Sequence, residues 1–237
     1  MILIARPVAA APDAPEILVI GDSQAQGVAG ALQRLYMRSR EYRIDDKSRI
    51  GTGLMFKSNY DWPAAVEQLA AAGRPAVAVI MFGANDRPAI RIKGVVDQKL
   101  LASFSATYSG RVANIVKSLK KANIQVIWVS HPVVKDAEYN EDMAALNQIM
   151  KKAAEQEGAR WVSLQNITGE DSDAYSATGK ALDGKTHRLR ADDGIHFTPV
   201  GYDLVAARVE PVLKSIAAPL PGNTVKPVAG IGVKVVQ

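Results

Sequence analysis

A serine hydroxyl is a weak nucleophile until a base takes its proton. Histidine is the side chain whose proton affinity suits that task near neutral pH. The chain has three: His131, His187 and His196. His196 stands in ADDGIHFTPVGY, with the carboxylate of Asp193 three residues earlier and Gly194 between to allow a sharp turn. One short turn can therefore supply both a base and the group that fixes its tautomer and stabilises its cation. Asp192 is a rival partner, but one residue further away it is expected to point elsewhere. His131, in SHPVV, reads as a loop or core histidine. His187, between Thr186 and Arg188, reads as solvent-facing.

The serine such a base would serve stands in EILVIGDSQAQGVAG, Glu16 to Gly30. An apolar run ends there at Gly21-Asp22-Ser23, and a helical pattern starts at once. Three readings compete. Asp22 or Ser23 can cap the helix by accepting from its first N–H groups. A phosphate cradle needs another spacing: Gly21, Gly27 and Gly30 give G-x5-G-x2-G rather than G-x-G-x-x-G, and no Walker lysine follows. The third reading is a nucleophile, which also needs N–H donors aimed where negative charge develops on a carbonyl oxygen. Ser23 can offer its own N–H, Gly53 in GTGL a second, and Asn85 in GAND a side-chain amide. Turn glycines and an Asx turn are the plainer readings of the last two. What favours the chemical reading is their order, each just after an apolar run.

Those runs set the expected architecture. Strand patterns lie at Ile17–Gly21, Tyr42–Ile50, Ala76–Phe82, Ile124–Ser130 and Arg160–Leu164. Helical patterns lie at Gln24–Arg38, Trp62–Ala72, Lys99–Ala122, Asn140–Gln156 and Pro199–Ser215. AVAVIMF and IQVIWVS are almost continuously apolar, as in strands buried on both faces of a parallel sheet. Alternation of strand and helix predicts a three-layer α/β/α sandwich on a central five-stranded parallel sheet. Ligands of such sheets bind beyond the carboxyl ends of the strands. GDS, GTGL, GAND, SHP and DDGIHFT would all gather there. Tyr175–Asp193 is polar and glycine-containing and reads as a long loop.

Composition narrows the partners. With 48% hydrophobic and 22% charged residues the chain is globular in character, and 237 residues suit one domain with a full core. No apolar run approaches the roughly 20 residues of a bilayer span, so no integral membrane segment is expected. The net charge of +5 is scattered; KSLKK, Lys117 to Lys121, fits an exposed helix face. No basic patch with interleaved aromatics accompanies it, so no nucleic-acid partner is expected. The lack of cysteine excludes disulfides, thiolate metal sites and a cysteine nucleophile. Acidic and histidine residues cluster only in DDGIH, so neither a metal nor a cofactor is expected. Residues 1–15 read as a disordered N-terminal segment or the remnant of an export signal, 16–216 as the domain and 217–237 as a Pro/Gly/Val-rich tail.

Taken together, the blocks GDS (Gly21–Ser23), Gly53, GAND (Gly83–Asp86) and DGIH (Asp193–His196) resemble the SGNH hydrolases, or GDSL-like esterases, over roughly Glu16 to Leu213. The resemblance implies the flavodoxin-like SGNH hydrolase fold, Ser23 as nucleophile, His196 as base and Asp193 as third triad member. It implies an oxyanion hole of Ser23, Gly53 and Asn85, with Gly51 in IGTGLM as the alternative to Gly53. The longer phrases TGL…DWP, GANDR and LR…DGIHFT look like a bacterial, often envelope-associated branch. That likeness implies a periplasmic or secreted location, envelope-associated partners, and roles for Arg87 and Arg190 near the site. The plainer reading of both is an exposed or structural arginine, and of Trp62 a packing anchor. The implied activity is hydrolysis of an ester carrying a short acyl group, such as acetyl on an envelope carbohydrate or a small molecule, with GLMF (Gly53–Phe56) as a small acyl pocket. Alternatives are a carbohydrate O-acetyltransferase with the same triad, a thioesterase or lysophospholipase, and a non-catalytic glycan-binding or assembly module on the same fold.

Overall fold

The computed structural model describes residues 14–55, 60–73, 75–87, 91–92, 94–168 and 174–217. Its elements run β1 (Glu16–Gly21), α1 (Ser23–Tyr36), β2 (Arg43–Asp46), α2 (Trp62–Ala72), β3 (Val77–Met81), β4 (Arg91–Ile92), β5 (Val95–Val96), α3 (Gln98–Lys121), β6 (Gln125–Val129), α4 (Ala137–Gln156), β7 (Arg160–Val162), β8 (Thr178–Lys180), β9 (Thr186–Arg188) and α5 (Pro199–Ile216). Five strands form one parallel sheet in the order β2-β1-β3-β6-β7. This is the expected doubly wound architecture, and its order reverses between β1 and β3, where such sheets open a crevice.

The strands alternate strictly between two cores. Ile17, Val19, Val77, Val79, Ile127 and Val129 face the cluster shared with α1 and α5. Leu18, Ile20, Ala78, Ile80, Val126 and Trp128 face the cluster under α2, α3 and α4. Both faces are apolar, which explains why these runs read as continuous rather than alternating. Helix starts are capped by side chains: Asp22 for α1, Asp97 for α3, Asp136 for α4 and Thr198 for α5.

Three expectations are corrected. The second strand is Arg43–Asp46 rather than Tyr42–Ile50: Lys47 and Arg49 still donate to the Val19 (2.9 Å) and Gly21 (2.8 Å) carbonyls of β1, but the chain then turns away, with Gly51 at φ +73°. The last strand of the sheet stops at Val162. The polar stretch from Tyr175 is not simply a loop: β8 and β9 pair as an antiparallel hairpin whose alternating exposed residues gave no apolar signal. Residues 1–13 and 218–237, which hold most of the proposed leader remnant and tail, lie outside the described residues.

Candidate active site

The β1–α1 junction gives the capping duty and the hydroxyl beside His196 to different residues. Asp22, fully buried, is the cap: its Oδ1 accepts the N–H of Gln24 at 2.8 Å. The Ser23 hydroxyl is left free of capping duty and lies 2.7 Å from Nε2 of His196. Gly21 makes the junction possible. It takes φ +143°, and a Cβ there would stand 1.9 Å from the Met81 carbonyl oxygen.

His196 and Asp193 come from one turn, as the spacing suggested. Asp193 Oδ2 lies 2.6 Å from His196 Nδ1, and its Oδ1 accepts the N–H groups of Ile195 (2.8 Å) and His196 (2.9 Å). Gly194 bends the turn at φ +71°. Partial burial would raise the Asp193 carboxyl, but these N–H groups and the imidazole outweigh it and hold it below its usual value. The carboxylate assigns the ring proton to Nδ1, so Nε2 accepts from Ser23. A hydroxyl so placed can lose its proton to the ring as it attacks a carbonyl. Asp192 does point away, to Arg188.

Two side chains, Gln24, which the sequence motifs do not single out, and Arg190, which they do, hold this turn to the rest. Gln24, buried, donates through Nε2 to the Ile195 carbonyl (2.8 Å) and accepts from the Tyr202 hydroxyl (2.8 Å). Arg190 is 1% exposed, so the plainer structural reading is the right one for it. Its guanidinium donates to the carbonyls of Val133 (2.6 Å), Ile195 (2.8 Å) and His196 (3.3 Å) and stacks over Phe197. It thereby joins the turn after β6 to the turn that carries His196. Arg87 is also structural: it pairs with Asp142 (2.6 Å) and Glu138 on α4.

The donor candidates lie on the loops after β2 and β3. Asn85 Nδ2 donates one proton to the Thr52 carbonyl at 2.8 Å, and its second proton has no acceptor among the described residues. Thr52 is held in turn by the indole N–H of Trp62 (2.9 Å) and donates to the Arg49 carbonyl (2.7 Å). Trp62 is therefore both a packing anchor, edge-on to Phe82, and a support for this loop. Gly53 is buried, whereas Gly51 is exposed on a turn with open space around it. The reason for glycine at 53 differs from substrate access: a Cβ would lie 2.3 Å from Asp86 Oδ1. Leu54 is an interior residue of the core, so the acyl-pocket role expected for it does not hold; Phe56 lies outside the described residues.

The remaining histidines divide as expected in part. His187 is half-buried and faces Asp183 at 2.9 Å. His131 is a core histidine, 2% exposed, with Nδ1 2.9 Å from the Pro132 carbonyl and Nε2 without a partner among the described residues. Burial drives its ring down to about 4 from 6.5, so it sits neutral. This has a consequence for stability. The unfolded chain takes up a proton below about pH 6.5, while the folded chain resists until about 4. The His131 contribution is thus complete above pH 6.5 and is lost as pH falls toward 4, by at most about 3 kcal/mol. Urea unfolding at pH 7 and at pH 4.5 should show that His131→Gln removes part of this acid sensitivity. An identical pH slope in wild type and variant would contradict it.

Burial also raises Asp22, to about 7, with the nearby Asp86 adding to the shift. Besides Gln24, Asp22 accepts the N–H of Ala84 at 3.2 Å, so one carboxyl links the loop of Ser23 to the loop of Asn85. Among the described residues no group of acidic or histidine side chains could hold a metal ion, and no helix is long and apolar enough to cross a membrane.

Solved structures share this architecture. A GDSL-like lipase from Bacteroides thetaiotaomicron matches at 16% identity, over 84% of this chain and 88% of its own, with a TM-score of 0.56. TesA matches at 20% identity over 85% and 99%, with a TM-score of 0.58. An alpha/beta hydrolase enzyme from the metagenome of Lake Arreo, Spain, matches at 18% identity over 85% and 96%, with a TM-score of 0.60. At these identities the likeness is one of fold, the SGNH hydrolase fold. No curated protein matches the chain. A family model described as "Protein of unknown function (DUF459)" covers residues 16–212, most of the chain and every residue of the site described above. The chain is a member of the DUF459 family, built on the fold of the GDSL-like/SGNH hydrolases.

Proposed function

We propose that the protein is a serine esterase or acylhydrolase of the SGNH type. The observation that carries the reading is the unbroken relay Ser23 Oγ–His196 Nε2 (2.7 Å) and His196 Nδ1–Asp193 Oδ2 (2.6 Å). Ser23 attacks the ester carbonyl while His196 takes its proton. Asp193 holds the imidazole in the accepting tautomer and stabilises its cation. The N–H groups of Ser23, Gly53 and Asn85 receive the developing oxyanion. His196 returns the proton to the leaving alcohol, and water then releases the acyl group by the same path. Neighbours named as a lipase and a hydrolase support ester chemistry for the fold.

The acyl group is short, such as acetyl on a carbohydrate or a small ester. Supporting this, Leu54 is committed to the core and the loops after β1, β3 and β6 bring mostly small or polar residues to the site edge. Nitrophenyl acetate, butyrate and octanoate, with acetylated xylan beside them, test the reading. Turnover is expected to fall with chain length, and acetate should be released from the glycan. Absence of hydrolysis on every ester, or a preference for octanoate, would refute it.

A further inference from the structure

The loop from Thr52 to Met55 is buried in part yet belongs to no ladder or helix, so its backbone polar groups must find partners elsewhere. They find side chains. The Thr52 carbonyl accepts from Asn85. The Leu54 N–H donates to Asp86 Oδ2 at 2.8 Å, and the Met55 N–H to Asp86 Oδ1 at 2.9 Å. The Leu54 carbonyl accepts from Arg111. The N–H of Gly53, in the middle of this set, has no acceptor among the described residues.

Asp86 is the hub. It is 1% exposed and reaches the loop only because Gly53 has no side chain. Its Oδ2 also accepts the hydroxyl of Tyr108, a fully buried residue of α3 whose burial pushes its phenol well up and keeps it a neutral donor. Burying a carboxyl is costly, and a loop can be anchored by cheaper means. One carboxyl that binds two successive N–H groups fixes the peptide planes on both sides of Leu54.

We infer that Asp86 is a positioning residue: with Tyr108 behind it, it holds the 52–55 loop so that the Gly53 N–H stays unspent and aimed for the oxyanion. The inference rests on the esterase reading above and adds to it a specific pair of residues outside the triad.

The test compares wild type, Asp86→Asn and Tyr108→Phe on nitrophenyl acetate, with phenylboronic acid as a tetrahedral-adduct inhibitor of Ser23. Asp86→Asn presents an amide N–H₂ where a backbone N–H must be accepted, so the loop shifts. Its kcat should fall about 10²-fold, the effect of misplacing a reacting group by about 1 Å, with KM within about twofold. Boronate inhibition should weaken in parallel with kcat/KM. Tyr108→Phe leaves the loop bonds in place and should show the same pattern at about tenfold; it keeps the test decisive where Asp86→Asn does not fold. A merely structural role would lower the melting temperature without this split. Both variants retaining kcat within about threefold, or raising KM at constant kcat, would overturn the inference while leaving the esterase reading intact. An inactive wild type would overturn that reading and this one with it.

Discussion

Ser23→Ala is expected to lower kcat on an ester substrate by about 10⁴- to 10⁶-fold, the range for loss of an activated serine elsewhere. Its fold should be unaffected. The helix cap is Asp22, not Ser23, and among the described residues the serine hydroxyl bonds only His196. Melting temperature and kcat therefore separate in this variant. His196→Ala should match it, because the two residues act as one unit and their losses do not add. Stopped assays with burst-phase analysis measure both. A Ser23→Ala enzyme within tenfold of wild type would place the chemistry elsewhere in the molecule.

The second large effect belongs to Asn85→Ala, with an expected loss of about 10²- to 10³-fold in kcat and little change in KM. Two consequences combine there. The amide proton not spent on Thr52 is lost to the oxyanion, and the Thr52 carbonyl loses its 2.8 Å donor, which frees the peptide that carries the Gly53 N–H. Asn85→Asp should be as damaging, since a carboxylate accepts where a donor is needed. Steady-state kinetics on nitrophenyl acetate decide it. A rise in KM at unchanged kcat would make Asn85 a substrate-binding residue instead.

The sequence carries some of these features openly and hides others. Strands β1 (Glu16–Gly21) and β3 (Val77–Met81), read from the sequence as Ile17–Gly21 and Ala76–Phe82, were legible because burial on both faces leaves them almost continuously apolar. The His196–Asp193 pairing was legible because both residues belong to one four-residue turn around Gly194. The role of glycine at 53 was not, because its reason is a carboxylate 33 residues away in the chain. The same holds for Asp86 with Tyr108 and for Gln24 with Tyr202, pairs made by packing between elements rather than by local spacing. The adjacency of Asp86 to Asn85 was the one available signal, since a residue beside a donor is well placed to steer its neighbours. Arg190 was legible only as an arginine near the site that was either exposed or structural; the choice between the two rests on the carbonyls of Val133 and Ile195, which lie on other turns and take up its guanidinium in place of water.

Gly27 shows a further constraint without a spacing rule. A Cβ there would stand 2.1 Å from the Tyr202 ring, so the glycine lets α1 and α5 approach closely enough for Tyr202 to reach Gln24. Gln24 in turn holds the carbonyl of Ile195, next to His196. The contact between the two helices thus helps fix the turn that carries His196.

An activated serine at residue 23 should react with a fluorophosphonate, which intact mass and peptide mapping of wild type, Ser23→Ala and His196→Ala would detect. The expected result is a single adduct on Ser23 in the wild type and none in either variant. A folded wild-type protein that takes no adduct, or that takes it on another residue, would contradict it.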